Sequence, residues 1–122
     1  MIIFHVLYDK DKDYLGFSVK GHAGYADEGY DIICAAVSAV TQGMVNATEL
    51  LTSANIIYEA ADSGLLKFKF DTKPGHDEKL LFESMLLAIQ DIEEQYGNEF
   101  LTVKYVQRLA NGKYISIKNQ EV

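Results

Sequence analysis

The sequence contains one cysteine, Cys34, one proline, Pro74, and only three histidines, at positions 5, 22 and 76. Each shortage excludes something. A lone cysteine cannot form an internal disulfide, so the chain is not a small disulfide-stapled secreted scaffold, and its thiol suits a reducing compartment. Three dispersed histidines and one cysteine offer no metal-ligand spacing, and neither a metal nor a cofactor is expected. No apolar run approaches the length needed to span a bilayer. The apolar opening Met1 to Tyr8 has no basic segment before it and is cut short by Asp9, so it reads as a strand and not a targeting peptide. The expected location is the cytoplasm, with no membrane partner. Basic residues are also scarce, 11 against 18 acidic ones, for a net charge of −7. Such a surface repels phosphate backbones and attracts basic peptides, which argues against direct nucleic-acid binding.

What is present is an ordinary globular mixture, 48% hydrophobic and 24% charged over 122 residues. That length fits one domain, residues 1–122, with a real core. Residues 2–8 and 14–20 are β-rich runs joined by the charged turn Asp9-Lys10-Asp11-Lys12-Asp13. From Asp31 to about Thr52, Ile33, Val37, Val40, Met44, Ala47 and Leu51 recur at steps of three and four, which predicts a helix burying one stripe. Residues 55–61 and 65–70 form a second hairpin around Asp62-Ser63-Gly64, with Leu66, Phe68 and Phe70 alternating against Lys67 and Lys69. After Lys73-Pro74-Gly75, residues 77–96 repeat Leu81, Met85, Ala88, Ile89 and Ile92 at helical spacing, and Gly97-Asn98 stops them. A fifth strand at 101–109 and a sixth at 114–117 complete the order ββαββαβ(β). Hairpins separated by helices predict an α+β domain, with a mostly antiparallel sheet of five or six strands and two packed helices.

The chemistry-bearing stretch is Gly21-His22-Ala23, a loop to Tyr30, and then Asp31-Ile32-Ile33-Cys34-Ala35-Ala36-Val37-Ser38. With Asp31 as N-cap, Cys34 falls in the first helical turn, where unpaired N–H groups and the positive end of the helix favour a thiolate. His22 is the nearest imidazole able to hold that ion pair and protonate a leaving amine. The first-turn N–H groups are expected to receive a developing oxyanion. Ser38 lies one turn after Cys34 on the same face, as a supporting hydroxyl. Gly21, Gly24 and Gly29 mark a loop able to close over a substrate. The plainer readings are a packed cysteine, a cap with no further role, glycines that only make a turn, and His5 and His76 as structural or solvated side chains.

Gly21-His22-Ala23 followed by Asp31-Ile32-Ile33-Cys34-Ala35-Ala36-Val37-Ser38 resembles the signature of the Prp family, the bacterial ribosomal-processing cysteine proteases. The resemblance implies a catalytic dyad of His22 and Cys34, with Asp31 and Ser38 supporting it. It also implies site-specific endopeptidase action on the N-terminal extension of a large-subunit ribosomal protein, and a homodimer. Ile33 stands where valine is expected, a conservative change, and the part from about Asn111 carries no motif. The rival expectation is a non-catalytic acidic adaptor that binds a basic ribosomal protein during assembly, with Cys34 merely buried.

Overall fold

The computed structural model describes residues 1–22, 24, 26, 31–61 and 65–118. Six strands and two helices follow in the order β1 (Ile2–Tyr8), β2 (Tyr14–Lys20), α1 (Ile32–Leu51), β3 (Ile56–Ala61), β4 (Leu65–Phe70), α2 (His76–Tyr96), β5 (Leu101–Arg108) and β6 (Tyr114–Ile117). They build one sheet in the order β3-β4-β2-β1-β5-β6. Every pairing is antiparallel except β1 with β5. The α+β architecture therefore follows the predicted order, with element ends within a residue or so of the sequence boundaries.

Alternation makes the sheet two-faced. Ile2, Phe4, Val6 and Tyr8 of β1 are buried, while Ile3, His5 and Leu7 between them are only half-buried on the opposite face. Both helices pack on the first face. Phe4 and Phe17 stack with ring centroids 5.2 Å apart, Phe17 and Phe68 with centroids 5.4 Å apart, and Phe82 from α2 enters the same layer beside Tyr14 at 4.4 Å. Each such ring contributes about 1.5–3 kcal/mol through its removal from water. Gly16 lies where β2 crosses β4 closely, and a side chain there would collide with the Phe68 carbonyl oxygen.

The buried stripe of α1 differs from the predicted one. Thr41 and Thr48 are buried, and Leu51, expected in the stripe, is 77% exposed. The threonines can take core positions because their hydroxyls donate back to the carbonyls of Val37 and Met44, at 2.8 and 2.9 Å. On α2 the buried residues are Phe82, Met85, Leu86 and Ile89, while Leu81, Ala88 and Ile92 sit half-buried at the margins of that stripe.

A tyrosine cluster closes the core beneath α2. Tyr14 donates to Glu83 at 3.3 Å, and Gln90 donates to the Tyr105 oxygen at 2.7 Å. The buried Tyr8 hydroxyl has no partner among the described residues. Burial first, then the neighbouring Tyr105 and Glu83, push the Tyr8 phenol up to about 12, and burial with Glu83 raises Tyr14 as well. A group whose pKa is higher folded than unfolded favours the native state only while it stays protonated. Stability should therefore be intact below pH 10, the ordinary tyrosine value, and fall as pH rises from there toward 12. Thermal melts across this range should show the decline. Tyr8→Phe should lessen it, the contribution of Tyr14 remaining, and leave neutral-pH stability unchanged or higher, since it removes a buried hydroxyl with no partner among the described residues.

Candidate active site

The site forms where β2 ends and α1 begins. Gly21 takes φ +96°, and a side chain there would fall against the Met1 carbonyl oxygen, so glycine is required where the chain leaves the sheet. The next residue, His22, lines a cleft of about 260 Å³. Asp31 caps α1 in extended conformation, its Oδ1 accepting from the N–H groups of Ile33 at 3.0 Å and Cys34 at 3.1 Å. Ile33 is fully buried and anchors this turn in the core. The following residue, Cys34, is thereby turned half-buried into the cleft.

Ser38 lies one turn further on the same wall, and Thr41 and Gln42 one turn beyond that. The opposite wall is apolar: Ile2 and Val19 from the central strands, and Ala60, Ala61, Leu65 and Leu66 from the β3–β4 hairpin. At about 260 Å³ the cleft is slightly smaller than the roughly 300–1,000 Å³ of small-molecule pockets.

Four of the residues singled out from the sequence, Gly21, His22, Cys34 and Ser38, thus share one cleft. Asp31 stands behind it as the cap. Gly24 has φ +70° with open space around it. Gly29 and most of the loop from Ala23 to Tyr30 lie outside the described residues, and so does the expectation of loop closure. His5 is on the uncovered sheet face, and His76 opens α2, exposed and paired with Asp77 at 3.1 Å.

One expectation is corrected. The N–H groups of Ile33 and Cys34 are occupied by the Asp31 carboxylate, and that of Ala35 by the Asp31 carbonyl at 3.1 Å. They are not open donors for an oxyanion, because the cap that starts the helix takes them first. Thr41, Gln42 and the hairpin wall were missed in the sequence. Thr41 and Gln42 follow Cys34 at helical spacing and so carried a legible signal, whereas the hairpin is brought to the site by the long-range pairing of β4 with β2, which sets Leu66 against Val19.

The family model for cysteine protease Prp matches residues 1–101. The ribosomal processing cysteine protease Prp of Bacillus subtilis is 35% identical over 91 residues, covering 70% of this chain and 81% of that protein. The protein of the same name from Staphylococcus aureus is 38% identical over 88 residues, covering 71% and 82%. Among solved structures, the fold is similar to the essential ribosomal processing protease Prp from S. aureus in complex with a covalently linked product peptide. That similarity has a TM-score of 0.80 at 31% identity and covers 86% of this chain and 99% of that one. The S. aureus protease in complex with a substrate peptide gives a TM-score of 0.76 at 30% identity, with coverage of 86% and 99%.

Asp31→Ala should cost about 1 kcal/mol of stability by removing the cap, while Asp31→Asn, which keeps an acceptor, should cost much less. Urea denaturation of both variants measures the difference.

Proposed function

The chain belongs to the Prp family of cysteine proteases, and from that premise we propose that it is a site-specific endopeptidase of ribosome maturation with His22 and Cys34 as its dyad. The observation carrying this reading is that both side chains line one apolar-walled cleft at the start of α1. Cys34 is half-buried and packs against the margin of the core, as the adaptor reading requires, and what favours the protease reading is that it also opens onto the cleft that His22 lines.

In the proposed reaction the Cys34 thiol gives its proton to His22, and the thiolate attacks the carbonyl carbon of the scissile bond. The His22 imidazolium then protonates the departing amine as the C–N bond breaks, which leaves a thioester on Cys34. A water molecule, relieved of a proton by His22, hydrolyses the thioester and restores the thiol. Asp31 acts by holding the turn that carries Cys34, and Ser38 as a polar neighbour on the same wall. Donors for the oxyanion must lie elsewhere than the Ile33 and Cys34 N–H groups. The proposed substrate is the short N-terminal extension of a basic large-subunit ribosomal protein, drawn toward a chain of net charge −7. The apolar wall would receive a hydrophobic side chain near the scissile bond. A cytoplasmic homodimer is the proposed working form.

Incubation with the extended ribosomal protein, followed by intact mass, should give one truncated product. Cys34→Ala should give none, and His22→Ala should slow cleavage by about 10²–10⁴-fold. Undiminished cleavage by Cys34→Ala would overturn the assignment.

A further inference from the structure

The sheet face that the helices leave uncovered carries a charge opposite to that of the chain as a whole. Strand register places Lys67, Ser18, His5 and Lys104 in one row across β4, β2, β1 and β5. Lys69 and Lys20 lie two residues from this row on the same face, and Arg108 lies further along β5, opposite Tyr114 of β6. The single carboxylate on the strands of this face is Glu59, across from Lys67. Five cations against one anion make the face +4, which leaves −11 for the rest of a chain whose total is −7. Lys20, Lys67, Lys104 and Arg108 are exposed and Lys69 is half-buried. The ion pairs among the described residues involve Lys73, Lys79 and His76, none of them on this face.

We propose that this face docks on the phosphate backbone of single-stranded RNA. Strands are about 4.8 Å apart, so Lys67 and Lys104, three strands from one another, stand about 14 Å apart. Between the two lysines, Ser18 offers a hydroxyl and His5 a ring, which burial and the Lys104 charge hold below its ordinary pKa and so largely neutral. Tyr114, 45% exposed beside Arg108, adds a second flat surface on which a base can stack. Phosphates use the cations and bases use the rings, whereas an acidic protein would use the cations alone. The arrangement also orients the molecule. RNA attracts this face and repels the rest of the chain, which turns the cleft on the helix side away from RNA and toward a basic protein.

The test is fluorescence anisotropy of a labelled single-stranded RNA of mixed sequence with Cys34→Ala protein, which keeps RNA binding separate from proteolysis. With five phosphate contacts, affinity should fall about 100-fold between 50 and 200 mM salt, and in Lys67→Glu/Lys69→Glu only about 20-fold from an already weaker start. Lys67→Gln/Lys104→Gln, a milder change, should show the same reduced salt dependence. Cleavage of a short peptide by each lysine variant in the Cys34 background should be unchanged. No RNA binding at 50 mM salt, binding unaffected in both lysine variants, or equal affinity for polyglutamate would overturn the proposal.

Discussion

The Asp31 carboxylate holds the N–H groups of Ile33 and Cys34, and through that bond it fixes where α1 starts, which residue enters the core and which residue faces the cleft. Successive residues stand about 100° apart around a helix of 3.6 residues per turn, so with Ile33 in the core Cys34 falls on the cleft wall. The same bonds place a carboxylate beside the helix start that carries the thiol. An uncapped helix start would offer its positive end directly to a thiolate, but here a carboxylate already sits on those donors. In the proposed dyad, stabilising a thiolate at Cys34 is the task of His22, which lines the same cleft. On that proposal cap and histidine divide the work, one in geometry and the other in charge.

The sheet supports this division from below. β1 is central, joined antiparallel to β2 and parallel to β5, and its buried residues sit under both helices. Ile2 at one end of β1 contributes to the cleft wall, and Tyr8 at the other belongs to the tyrosine cluster. The two-layer build leaves the opposite sheet face uncovered, and the lysines that alternate with the core residues of β4 collect there. Alternation, which buries Phe68 and Phe70, also separates the charges of the molecule.

The strands were legible because period-two alternation is strong in residues such as Leu66 to Phe70, and the start of α1 because Asp31 has cap chemistry. The exact stripe of α1 was not, since buried Thr41 and Thr48 look polar until their hydroxyls are seen bonded to the helix backbone. The dyad candidates were legible as a motif, and the structure brings both to one cleft. The far wall was not legible, because Ala60, Ala61, Leu65 and Leu66 reach the site through long-range strand pairing that leaves no local mark. Net charge conceals a further feature. A total of −7 averages over a face of +4, and only strand register reveals the difference.

The central claim is that His22 makes Cys34 a thiolate at a capped helix start, and the rate of Cys34 alkylation by iodoacetamide as a function of pH tests it most directly. In the unmodified protein the midpoint should lie well below about 8.5, the value of an ordinary thiol, and in His22→Ala it should return to that value or above. A midpoint at or above the ordinary value in the unmodified protein, or one that His22→Ala leaves unmoved, would contradict the account.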